Sequence, residues 1–118
     1  MTERLLVVDD DRLLREVVGE YLVSHGYEVE MADSGQSAIG IFEPFKYRIA
    51  ILDYVMPGMN GLELMDKLRK KDPDLYYIIM TGYPTLDMAY KAMIEGVSDY
   101  IIKPFHLSEL LEAIRRIV

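Results

Sequence analysis

The chain predicts an α/β fold, a five-stranded parallel sheet with five helices packed on its two faces. Three observations carry this. The runs Leu5–Val8, Ile49–Leu52 and Tyr77–Met80 contain no charged residue, as strands buried on both faces require. Between the strand-like runs lie stretches whose apolar residues recur at helical spacing. The two types alternate strictly, which implies parallel strands joined by right-handed crossovers.

Each element has its own signal. Leu5–Val8 is the first strand. Leu13, Leu14, Val17, Val18, Tyr21 and Leu22 space the first helix, and Gly26 is a suitable stop. Tyr27–Met31 alternates like a half-buried strand. Ser34 suits the cap of a second helix carrying Ala38, Ile41 and Phe42. Ile49–Leu52 is the third strand, and Pro57, Gly58, Asn60 and Gly61 mark the loop behind it. Leu62, Met65 and Leu68 space a third helix, ended by Asp72-Pro73. Tyr77–Met80 is the fourth strand, broken by Gly82 and Pro84. Leu86, Ala89, Tyr90, Met93 and Ile94 make a fourth helical stripe, stopped by Gly96. Asp99–Ile102 is the fifth strand. Leu107, Leu110, Leu111, Ile114 and Ile117 space the fifth helix.

Composition narrows the class. The 118 residues, 51% hydrophobic and 28% charged, suit one packed domain over residues 1–118, either a whole small protein or a piece of a longer one. There is no cysteine, which excludes disulfides, cysteine–zinc sites and thiol nucleophiles. The 20 acidic residues outnumber 13 basic ones, giving a net charge of −7. Affinity for nucleic acid comes largely from neutralising phosphates, so direct binding by this chain is not expected. The N-terminus lacks a signal peptide, and no apolar run approaches the ~20 residues of a membrane span. A soluble cytoplasmic domain is the expectation.

In parallel sheets of this kind ligands bind beyond the carboxyl ends of the strands. Asp9, Asp10 and Asp11 follow the first strand, Asp53 the third, Thr81 and Gly82 the fourth, and Lys103-Pro104 the fifth. Carboxylates converging on one small volume repel one another unless some protonate or a cation binds. Carboxylates, water and a backbone carbonyl are the ligands of a hard ion such as Mg²⁺. Neither His25 nor His106 lies at a strand end, so zinc is a poor fit. The first loop has no glycine and repels anions, which disfavours dinucleotide, flavin and P-loop nucleotide binding. A carboxylate flanked by a metal, a hydroxyl and an ammonium is equipped to become an aspartyl phosphate.

Four segments in order resemble the response-regulator receiver domain of two-component signalling, of the chemotaxis-regulator kind. They are Leu5-Leu6-Val7-Val8-Asp9-Asp10-Asp11, Ile51 to Gly61 (Ile-Leu-Asp-Tyr-Val-Met-Pro-Gly-Met-Asn-Gly), Ile78 to Tyr83 (Ile-Ile-Met-Thr-Gly-Tyr) and Asp99 to Phe105 (Asp-Tyr-Ile-Ile-Lys-Pro-Phe). The resemblance covers essentially the whole chain. It implies the flavodoxin-like, doubly wound sheet order 2-1-3-4-5. It implies that Asp53 accepts a phosphoryl group from a sensor histidine kinase or a phosphotransfer protein. By position, Asp10, Asp53 and the Val55 carbonyl would bind Mg²⁺, with Asp9 acting through water. Thr81 and Lys103 would contact the phosphoryl group, Tyr100 would be an aromatic switch, and Lys103-Pro104 a cis peptide. The surface of the fourth helix, fifth strand and fifth helix would serve dimerisation or output. Such a domain catalyses only its own phosphotransfer and a slow self-hydrolysis. Val55 cannot hold an attacking water, which points the same way.

Each residue also has an ordinary reading. Asp9 to Asp11 could cap the first helix, Asp53 could be a loop aspartate, and Lys103 a surface lysine. X–Pro bonds are cis in only about 5–6% of cases, and Tyr100 could be core with its hydroxyl at the rim. These readings do not explain why four strand ends supply one compatible set. Two other functions compete with the phospho-acceptor. A magnesium-dependent phosphohydrolase with an aspartate nucleophile would need a general acid–base beside Asp53 and a substrate cap. A binding module that signals without phosphate would be expected to have lost Asp53, the acidic pair or Lys103.

Overall fold

The computed structural model describes residues 2–82, 85, 91 and 95–118. In order they form β1 (Arg4–Val8), α1 (Arg12–Ser24), β2 (Glu28–Ala32), α2 (Gly35–Ile41), β3 (Ile49–Asp53), α3 (Gly61–Lys71), β4 (Tyr76–Thr81), β5 (Asp99–Ile102) and α4 (Leu107–Ile117). All strand pairs are parallel, and the sheet order is β2-β1-β3-β4-β5. The stripe from Leu86 to Ile94, expected as a helix, lies outside the described residues except for Lys91. That residue is helical, and its carbonyl accepts from Glu95 N–H at 3.0 Å.

Period-2 alternation divides the strands between two layers. Leu6, Val8, Ala50, Leu52, Tyr77 and Ile79 pack with Ala38 of α2 and with Leu62, Met65 and Leu68 of α3. Leu5, Val7, Ile49, Ile51, Ile78, Met80 and Ile101 pack with Val18 and Leu22 of α1 and with Leu110, Leu111 and Ile114 of α4. Both faces of the central strands are covered, which is why β1, β3 and β4 read as continuous apolar runs. Among the described residues, no helix is long and apolar enough to cross a membrane.

Side-chain caps set the helix starts. The Ser34 hydroxyl accepts from Ser37 N–H at 3.1 Å, and the Asn60 side chain accepts from Glu63 N–H at 2.9 Å. The Glu63 carboxylate answers by accepting from Asn60 N–H at 3.0 Å. Several boundaries differ from the sequence expectation, and β1, β3 and β4 each extend one residue further at one or both ends. Phe42 ends α2 instead of lying inside it, because its backbone turns extended at ψ 130°. The second strand runs one residue later than its alternation suggested, since Ala32 still pairs with Val8.

Ile51 is fully buried at the centre of the sheet. Its replacement by alanine is expected to cost about 2–5 kcal/mol. Urea unfolding followed by far-UV circular dichroism measures that loss.

Candidate functional site

Parallel strands bring their carboxyl ends to one edge, and the expected residues assemble there. β3 ends on Asp53, which pairs with Met80. β4 ends on Thr81, which pairs with Ile102. Asp9 follows β1 directly, and its N–H donates to the Ala32 carbonyl at 3.2 Å. Lys103 follows β5, and its N–H donates to the Thr81 carbonyl at 2.7 Å. The Lys103–Pro104 peptide is cis.

Asp9 is 0% exposed and Asp53 5%, while Asp10 is open to solvent. One oxygen from each of these three carboxylates lies within 4.8 Å of the others. Lys103 Nζ donates to Asp9 Oδ2 at 2.7 Å and stands 3.3 Å from Asp53 Oδ1. The other Asp9 oxygen accepts from Asp11 N–H at 2.9 Å. Arg15, which the sequence did not single out, donates from its guanidinium to the Asp9 carbonyl at 2.8 Å. The fully buried Asp9 is thus bonded on both carboxylate oxygens, as a buried charge must be.

These surroundings move two ionisation equilibria. Burial pushes the Asp53 carboxyl up to about 6, reinforced by the negative charges of Asp9 and Asp10 and opposed by Lys103. Burial pulls Lys103 down, but its hydrogen bond and charge pairing with Asp9, then with Asp53, outweigh that and leave its pKa raised. The site therefore carries more negative charge than one ammonium balances. Three carboxylate oxygens at this spacing, without sulfur or imidazole, suit a hard divalent cation.

The acidic triplet divides by role. Asp11 caps α1, accepting from Leu13 N–H at 3.0 Å and Leu14 N–H at 3.3 Å. The capping reading is therefore right for Asp11, while Asp9 and Asp10 face the cluster with Asp53. Thr81 is buried at the same edge. Val55 lies in the loop beyond β3 with its side chain exposed. Tyr100 sits within β5, opposite Ile79 and 36% exposed, outside the carboxylate cluster.

Gly61 is a second residue whose part was not read from the sequence beyond a loop marker. Its N–H donates to the Tyr54 carbonyl at 3.0 Å. A β-carbon there would stand 2.5 Å from the Asp53 carbonyl oxygen. Only glycine lets α3 start this close to the end of β3. The signal was present as a glycine at the first turn of a capped helix.

Asp53 binds its proton more tightly folded than unfolded, so its contribution to stability falls as pH rises from its ordinary 3.8 to about 6. In metal-free buffer, urea unfolding of Asp53→Asn should exceed wild type in stability at pH 7, and the difference should shrink toward pH 4. Asp11→Ala should lose about 1 kcal/mol of stability, the usual value of an N-cap, while Mg²⁺ titration of the folded protein stays unchanged. Asp10→Ala should do the reverse.

Comparison with known proteins adds a separate finding. A family model described as the response regulator receiver domain matches residues 5–115. Response regulator protein FleR of Pseudomonas aeruginosa is 36% identical over 116 residues, 98% of this chain and 24% of FleR. Response regulator MprA of Mycolicibacterium vanbaalenii is 36% identical over 118 residues, 100% of this chain and 51% of MprA. The chain thus spans about a quarter to half the length of these relatives. The non-phosphorylated HemR receiver domain from Leptospira biflexa superposes with a TM-score of 0.93 at 31% identity, over 98% of this chain and 94% of that one. Response regulator protein TrrA from Thermotoga maritima, in complex with Mg²⁺-BeF, gives a TM-score of 0.85 at 32% identity, over 99% of this chain and 100% of that one.

Proposed function

The chain belongs to the response regulator receiver domain family, and from that premise we propose that it is a phospho-acceptor that takes a phosphoryl group on Asp53. The observation that carries the proposal is the setting of that carboxylate. Asp53 closes a central strand, nearly buried, with Asp9 and Asp10 within 4.8 Å and the Lys103 ammonium at 3.3 Å. The donor is a phosphohistidine on a sensor kinase or phosphotransfer protein.

An Asp53 oxygen attacks phosphorus as the phosphorus–nitrogen bond to the donor imidazole breaks. The imidazole leaves with the bonding electrons, and an acyl phosphate remains on Asp53. Negative charge on the phosphoryl oxygens needs positive and hydrogen-bonding partners. Lys103 is close enough to shift from Asp9 toward those oxygens, and the Thr81 hydroxyl donates to another. Asp10, Asp53 and the Val55 carbonyl would hold Mg²⁺, with Asp9 acting through a water. Mg²⁺ supplies charge neutralisation there, and the Mg²⁺-BeF bound by TrrA supports it as the ion. Nothing at Val55 orients a water for hydrolysis, so the acyl phosphate is lost slowly. No activity beyond this self-phosphorylation and self-hydrolysis belongs to the domain.

Signalling follows as a population shift. The phosphoryl group favours the form in which Thr81 and Lys103 engage it, and Tyr100 turns inward as Thr81 moves. The surface that changes comprises β5, α4 and the expected fourth helix, which lies outside the described residues. Tyr100 and Ile102 are exposed on β5, which supports this face as the output or homodimer surface. Residues 1–118 act as a single receiver domain in the cytoplasm, without direct contact to nucleic acid or membrane.

Intact-mass spectrometry after incubation with acetyl phosphate tests the assignment. Wild type should gain one phosphoryl group with Mg²⁺ and none without it, and Asp53→Asn should gain none. Stoichiometric Mg²⁺-dependent labelling of Asp53→Asn would overturn the choice of acceptor. Lys103→Ala should keep Mg²⁺ binding but lose most of the spectral change that phosphorylation produces in the β5 region. An undiminished change, read by nuclear magnetic resonance, removes Lys103 from the switch.

A further inference from the structure

We propose that Met59 and Gly35 form a positioning contact for the acceptor site, fixing the loop that carries the Val55 carbonyl. The proposal rests on the phospho-acceptor reading above. The loop between β3 and α3 is tied near its ends. Tyr54 N–H donates to the Met80 carbonyl at 2.8 Å, and Gly61 N–H to the Tyr54 carbonyl at 3.0 Å. The outer part of the loop is held by a side chain. Met59 is half-buried and packs against the layer that contains Ala38, Met56 and Leu62.

Met59 lies across the first residue of α2. A β-carbon at Gly35 would stand 2.9 Å from Met59 Sδ, 3.1 Å from its Cβ and 3.3 Å from its Cγ. The sulfur could swing aside, but the Met59 β-carbon is fixed to the loop backbone. A larger residue at position 35 must therefore displace the loop itself. If helix α2 receded, it would draw the fully buried Ala38 out of the layer it shares with Leu62, Met65 and Leu68 of α3. The loop cannot move inward either, since Gly61 already stands against the Asp53 carbonyl. Two glycines on two helices thus bracket the segment that presents Val55. The glycine at position 35 is what lets Met59 lie this close to the start of α2.

Mg²⁺ titration calorimetry, paired with urea unfolding of each variant, tests the contact. Met59→Ala and Gly35→Ala should each weaken Mg²⁺ binding about tenfold, the scale for losing a group that orients a metal ligand. The double variant should be no weaker than either single one, because both changes disturb the same contact and residues that share a contact do not lose binding additively. Met59→Leu, which keeps most of the bulk, should stay close to wild type. If Met59→Ala does not fold, Gly35→Ala and Met59→Leu carry the same comparison. Wild-type affinity in Met59→Ala or Gly35→Ala, or losses that multiply in the double variant, overturns the proposal. A wild-type chain that binds no Mg²⁺ overturns the acceptor-site reading, and this proposal with it.

Discussion

Two carboxylates can be buried side by side with both of them charged only where a positive charge holds them. Lys103 does this at the carboxyl edge of the sheet, with its ammonium 2.7 Å from Asp9 and 3.3 Å from Asp53. The balance is incomplete, because Asp10 adds a third negative group. That deficit is what suits the edge to a divalent cation. A fully neutralised cluster would be a structural ion pair and nothing more.

The sheet supplies the remaining order. The parallel arrangement sends β1, β3, β4 and β5 to the same edge, and the pairing of β3 with β1 and β4 puts Asp53 in the middle. Each strand spends its length in the core and only its last step at the site. The residues that stabilise the fold and those that form the cluster are thus neighbours in sequence but separate in burial and charge. Leu52 packs in the layer of α2 and α3, while the next residue, Asp53, carries the carboxylate.

Much of this was legible beforehand because it rests on local signals. Continuous apolar runs mark strands covered on both faces, and polar residues just after them mark the binding edge. Ser34 announced a cap that the structure contains. Local signals alone do not divide Asp9, Asp10 and Asp11, since capping and cluster formation favour the same residue type. The family resemblance set Asp9 and Asp10 apart from Asp11 by position, and the geometry around Leu13 and Leu14 makes Asp11 the cap. Arg15, Gly61 and the contact of Met59 with Gly35 were also hidden. Each depends on an approach between elements that spacing along the chain does not encode. The end of α2 was misjudged because Phe42 keeps its helical hydrogen bond to Ala38 at 3.0 Å while its backbone already leaves the helix.

The bond between Lys103 and Asp9 joins positions 94 residues apart. It closes nearly the whole polypeptide into a ring, and no shorter stretch of chain contains both partners. The unfolded chain consequently has no version of this site at all. Whatever occupies it recognises only the completed fold and draws the folding equilibrium toward itself by mass action. The receptor pocket is thereby also a clasp, and occupancy and foldedness become two readings of one equilibrium.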